Sequence, residues 1–203
     1  MMSKPTVKAK MIVILDFDGS LFYNPANNLS LHFDLRHIID KTSFLEQFED
    51  QTELPISESA EYILITGRHI SQKEIILKML RFKGFTFSQS FFNTLDRAFR
   101  LSEEEFMLEY WFAKVKKIMD IYRSREYSQV IVIDDDSVIC QVLSKLNIPV
   151  LKMDIMPDEN KDLHIAFSLP NVVSMTEIQE LIDEYQRRVE TTVQKSHQNL
   201  INY

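Results

Sequence analysis

Glycine is scarce. Only Gly19, Gly67 and Gly84 occur in 203 residues, where an average chain would carry roughly 7%. That excludes collagen-like and glycine-rich low-complexity organisation. It also draws attention to Gly19 and Gly67, which follow directly on apolar runs, where a chain leaving a strand needs positive φ or close approach to a ligand. Cysteine is scarcer still: Cys140 stands alone, so there is no internal disulfide and no cysteine-built zinc knot, which fits a reducing, cytoplasmic compartment. Long hydrophobic runs are missing. Lys4, Lys8 and Lys10 precede the apolar stretch 11–15, but it ends at Asp16, too short for a signal peptide, and nothing approaches the roughly 18 apolar residues of a membrane span. No signal peptide or transmembrane segment is therefore expected. Positive charge is also in deficit, 23 basic against 30 acidic residues for a net charge of −7 and a pI near 5.3. A generic nucleic-acid coat or a basic membrane-surface protein is disfavoured.

What is present is a foldable composition, 45% apolar and 26% charged, in a length that suits one domain with a sizeable core. Three runs, 11–15, 62–65 and 130–133, are continuous and rich in Ile and Val, as strands buried on both faces of a parallel sheet are. A weaker run, 148–151, follows a helix-like segment at 137–146. Helix-period segments near 71–83, 103–123 and 174–195 complete the alternation of an open α/β sheet. In the last, Ile178, Leu181, Ile182, Tyr185, Val189 and Val193 share helical spacing without a clear stop. The expected organisation is one domain over 1–173 and a C-terminal helix over 174–203, with continuation into a longer protein left open.

Each strong run ends in a polar residue, Asp16, Thr66 and Asp134 respectively. In open α/β sheets ligands bind in the crevice outside those strand ends; the plainer reading, that each residue caps a following helix, is common for any one strand. Asp16 and Asp18, two residues apart, can share a pocket, one as nucleophile and the other handling protons. Asp134-Asp135-Asp136 adds oxygen ligands of the hard type Mg²⁺ prefers, and so many clustered carboxylates call for a cation.

Asp16-Phe17-Asp18-Gly19-Ser20 resembles the DxDG(T/S) signature of the haloacid dehalogenase (HAD) superfamily of aspartate-nucleophile phosphatases. Ile65-Thr66-Gly67-Arg68 is similar to its second motif and Ile133-Asp134-Asp135 to its fourth. Ser20 stands where Thr is more usual, and Asp136 is an extra acid. The resemblance spans about residues 11–151 and implies a three-layer, Rossmann-like open parallel sheet and a phosphatase, a Mg²⁺-dependent hydrolase working through an aspartyl-phosphate. It implies Asp16 as nucleophile, Asp18 as acid and base, and a metal held by Asp16, the Asp18 carbonyl and Asp135 with Asp134 in support. Thr66, Gly67, Arg68 and a lysine of the third motif would bind substrate. Arg68 is equally open to pairing with a local acid.

Lys114, Lys116 and Lys117 all fit that third motif by spacing. Met107, Trp111, Ile118, Ile121 and Tyr122 form one apolar stripe at 100° per residue; Lys114 lies within it, Lys116 opposite and Lys117 at its flank. Lys114 is the choice, with snorkelling to solvent as the plain alternative. The separations of 50 residues from Asp16 to Thr66 and 48 from Thr66 to Lys114 leave no room for a large cap domain, as in capless superfamily members that act on macromolecules. Residues 20–60 carry Arg36 and Lys41 against seven carboxylates, which disfavours a polynucleotide. The expected partner is therefore a phosphorylated protein or peptide, with a slight preference for phosphotyrosine drawn from a recessed aspartate and from Phe22 and Tyr23, which packing explains equally well. A nucleic-acid end-processing phosphatase and a non-enzymatic binding module are the alternatives. No histidine has metal-ligand spacing, and 154–162 reads as a solvated acidic loop.

Overall fold

The computed structural model describes residues 11–23, 34–94, 103–124 and 127–170, with side chains from 109 onward in the third segment. The expected C-terminal helix over 174–203 lies outside the described residues. Six strands form one sheet in the order β3-β2-β1-β4-β5-β6: β1 (Met11–Leu15), β2 (Glu61–His69), β3 (Gln89–Asn93), β4 (Gln129–Asp134), β5 (Val150–Pro157) and β6 (Leu163–Ser168). The helices are α1 (Lys41–Gln51), α2 (Lys73–Phe82), α3 (Glu103–Arg123) and α4 (Ser137–Lys145).

The apolar runs are continuous because both faces of each strand are covered. Met11, Val13 and Leu15 share one core with Tyr62, Leu64, Ile131 and Ile133, beneath Phe44 and Phe48 of α1 and Ile76 and Leu80 of α2. Ile12 and Ile14 turn the other way and join Ile63, Ile65, Val130 and Val132 under Ile118 of α3 and Leu143 of α4. The result is a three-layer α/β sandwich of Rossmann-like character. Among the described residues, the segment between β1 and β2 supplies a short 3-10 turn and α1, and that between β2 and α3 supplies a second such turn, α2 and β3.

The sheet departs from the all-parallel expectation at one edge. β1 to β5 pair in parallel, but β6 returns antiparallel to β5. The acidic stretch 154–162 is accordingly not one solvated loop: Asp154 to Pro157 belong to β5, and only 158–162 turn. That turn is built by the Asp158 carboxylate, which accepts from the backbone N–H groups of Asn160 and Asp162 at 2.8 and 2.9 Å. Met153 and Ile155 are buried while Lys152 and Asp154 are only half-covered, the alternation of a strand with one wet face. Tyr122, assigned to the inward stripe of α3, is 41% exposed. No helix among the described residues is long and apolar enough to cross a membrane.

Candidate functional site

The register brings Asp16 and Asp134 together. Leu15 pairs with Ile133 and the Asp16 N–H donates to the Ile133 carbonyl at 3.1 Å, so Asp16 and Asp134 leave adjacent strands side by side. Across them lies Lys114, whose Nζ is 2.7 Å from Asp16 Oδ1 and 2.6 Å from Asp134 Oδ2. Asp16, Lys114 and Asp134 are 5%, 3% and 1% exposed. A lysine buried this deeply is tolerated only when paired, and the two carboxylates do that. Lys116 faces solvent and Lys117 is half-buried, its Nζ 3.9 Å from the centre of the Phe91 ring. Of the three lysines, only Lys114 makes ion pairs with the acidic cluster.

Burial pushes the Asp16 carboxyl well above its usual range and overrides the opposing pull of Lys114. Asp134 moves the same way for the same reason. Asp135 is raised to about 7, by burial first and then by the charge of Asp134. Burial alone would lower Lys114, but Asp134 and Asp16 hold it well above the usual lysine value.

Asp16, Asp134 and Asp135 each offer an oxygen within 4.8 Å of the others. When all three ionise, one lysine leaves two negative charges uncompensated, which is the charge of a divalent cation. An all-carboxylate donor set suits a hard ion, so the cluster could hold a metal ion. Gly19 makes the close approach possible. It adopts φ +74°, and a Cβ there would fall 2.0 Å from Asp135 Oδ2.

Asp18 has a different partner. Arg68, 2% exposed, grips its carboxylate through Nε at 2.8 and 3.0 Å and also through Nη2. Arg68 therefore pairs with a local acid. Thr66 is buried within β2, which runs on to His69 rather than ending at Thr66, and its Oγ1 accepts from the Arg68 N–H at 3.2 Å. Gly67 needs no positive φ; its approach is to a protein ring, since a Cβ there would lie 3.1 Å from Tyr110. Phe22 is buried and stacked on Phe17 with centroids 5.3 Å apart. That ring packs the core, whereas Tyr23 is half-buried and edge-on to His37. Asp136 is structural: its Oδ1 caps α4 through the Val138 and Ile139 N–H groups, and its Oδ2 accepts from Trp111 Nε1 at 2.6 Å.

Tyr110 escaped the sequence reading. Its ring lies against Gly67 and 5.4 Å from Lys114 Nζ, and burial raises its hydroxyl well above the tyrosine range. The signal was present, because Tyr110 lies one helical turn before Lys114 and so shares its face. No protein-family profile matches this chain, and no curated protein matches it either.

Proposed function

We propose that this chain is a Mg²⁺-dependent phosphomonoester hydrolase of HAD type that acts on phosphoproteins. The observation that carries the reading is the lysine bridge: Lys114 spans Asp16 and Asp134 at the C-terminal edge of the sheet, within a carboxylate cluster whose excess charge suits a divalent cation. A structural ion pair needs one carboxylate; three around one lysine are costly unless a cation joins them.

In this reading Asp16 attacks phosphorus, forming an Asp16 O–P bond as the P–O bond to the leaving group breaks. Asp18 supplies the proton to the leaving oxygen. It then takes a proton from the water that cleaves the aspartyl-phosphate, restoring Asp16 and releasing phosphate. Arg68 orients the Asp18 carboxylate, and Lys114 both aligns Asp16 and neutralises charge building on the phosphoryl oxygens. Asp16, Asp134 and Asp135 would hold a divalent cation, which when bound would supply further charge neutralisation.

A recessed Asp16 favours a long substrate stem, and phosphotyrosine has one. The test is phosphate release from phosphotyrosine peptides, phosphoserine peptides, 5′- and 3′-phosphorylated oligonucleotides and sugar phosphates, with Mg²⁺ and with EDTA. Metal-dependent turnover highest on phosphotyrosine peptides is expected. Asp16→Asn should lower it by several orders of magnitude while circular dichroism stays native; near-normal activity in that variant would sink the assignment.

A further inference from the structure

Nothing in its own backbone requires residue 67 to be glycine. The register of β2 to β3 shifts between Thr66 and His69, yet Gly67 is not among the positive-φ glycines. Glycine inside a strand weakens it and marks a close approach by another group. Here the group is the Tyr110 ring: a Cβ on residue 67 would lie 3.1 Å from both Cε2 and Cζ, tighter than ordinary van der Waals contact. Tyr110 is half-buried and stands one turn before Lys114 on α3, on the same face. The centre of its ring is 5.4 Å from Lys114 Nζ, and its hydroxyl shares a side-chain hydrogen bond with that ammonium.

One turn of α3 therefore reaches three adjacent strands. Tyr110 rests on β2, while Lys114 meets Asp16 after β1 at 2.7 Å and Asp134 of β4 at 2.6 Å. A lysine ammonium carries three N–H donors on a flexible stem. Asp16 and Asp134 occupy two of them; the Tyr110 hydroxyl takes the third, which fixes rotation about the last carbon–nitrogen bond. The next residue, Trp111, is held through Nε1 by Asp136 Oδ2 at 2.6 Å, so a displaced Tyr110 ring is not relieved by a slide of the helix.

We propose that Tyr110, seated on Gly67, is a positioning residue that holds the Lys114 ammonium on Asp16 and Asp134, and, resting on the function proposed above, that it thereby keeps the nucleophile aligned for attack on phosphorus. It acts through Lys114 rather than on the phosphoryl group. Misplacing a reacting group by about 1 Å costs roughly a hundredfold in rate, so the loss on removing the hydroxyl falls on kcat. The same seat explains why a strand position with an ordinary backbone is occupied by one of only three glycines in the chain: a larger residue there would push the ring, and with it the ammonium, out of place.

The test reads Lys114 directly, on the full chain without metal or substrate, by nuclear magnetic resonance of isotope-labelled lysine ammonium groups, its signal assigned by its loss in Lys114→Arg. Tyr110→Phe keeps the ring on Gly67 and removes the hydroxyl. Gly67→Val keeps the hydroxyl and displaces the ring, and Tyr122→Phe, at an exposed position of the same helix, is the control. Expected is a wild-type Lys114 signal whose protons exchange at least about tenfold more slowly than those of exposed lysines. It should shift and quicken at least about tenfold in Tyr110→Phe, which stays native by circular dichroism, and in Gly67→Val, but not in Tyr122→Phe. Wild-type exchange as fast as that of exposed lysines, a signal unaltered in Tyr110→Phe or in a folded Gly67→Val, or an equal change in Tyr122→Phe would overturn the proposal. With p-nitrophenyl phosphate, kcat of Tyr110→Phe should fall about tenfold while KM stays within about twofold; a change confined to KM would put Tyr110 on the substrate and overturn the positioning role. If the wild type hydrolyses nothing, the phosphatase reading fails and the resonance still decides whether Tyr110 holds Lys114.

Discussion

At the scale of single residues the site depends on two substitutions having very different costs from their neighbours. Gly19 and Gly84 both have positive φ, +74° and +85°, but an added Cβ meets Asp135 Oδ2 at 2.0 Å in the first and only Lys41 at 3.4 Å in the second. Backbone strain of about 1–2 kcal/mol applies to both; only Gly19→Ala also displaces a carboxylate of the cluster. Calorimetric Mg²⁺ titration should show at least a tenfold affinity loss for Gly19→Ala and little change for Gly84→Ala, and equal affinities would remove Asp135 from the metal set. The lysines divide in the same way. Lys114→Ala leaves buried carboxylates uncompensated, a loss of about 3–5 kcal/mol in stability together with most of kcat/KM. Lys117→Ala gives up a ring contact of about 0.5–1 kcal/mol, and exposed Lys116→Ala stays within about 0.5 kcal/mol of wild type. Urea denaturation and kinetics on the three variants check this order, which a severe loss confined to Lys117→Ala would reverse.

Elements were legible where one physical signal dominated. The β1, β2 and β4 runs announced themselves because two covered faces demand unbroken apolar sequence, and their polar ends Asp16, Thr66 and Asp134 marked the edge that carries the site. Lys114 was legible because helix periodicity alone separates it from Lys116. The pairing of Asp18 with Arg68 was visible only as one of two options, since it joins residues 50 apart in sequence and local pattern says nothing about which acid a cation meets. α1, β3 and β6 went unread. α1 fully buries only Phe44 and Phe48, β3 has only two apolar residues, Phe91 and Phe92, and β6 is specified by a partner: glutamines of α1 hold its outer edge across more than 100 residues of sequence. Gln51 makes two of those bonds, from both ends of its amide. Gln51→Ala should therefore cost about 1–3 kcal/mol and expose the β6 edge, read as a lower urea midpoint with increased self-association; Glu49→Ala, on the exposed side of the same helix, should do neither.

For the whole molecule, a cluster of raised carboxyls links folding, protons and metal. Burial places Asp135 near 7 and moves Asp16 and Asp134 upward, whereas unfolded aspartates titrate near about 3.9. Between those values the folded chain binds more protons than the unfolded one, so stability contributed by these groups falls as pH rises, by up to about 1.4 kcal/mol per pH unit per group. Asp34, held down at about 2 by Arg36, finishes titrating below this window and does not offset the trend. A divalent cation binds the ionised cluster and stabilises the folded state by mass action, against proton competition that fades toward alkaline pH. The increase in Tm on replacing EDTA by Mg²⁺ should accordingly be small at pH 5.5 and largest at pH 8. Asp135→Asn should flatten that dependence, raising Tm in EDTA at pH 8 by removing a charge that burial disfavours while weakening the response to Mg²⁺. A Tm that ignores Mg²⁺ at pH 8 would show that the three carboxylates do not act together as a metal site.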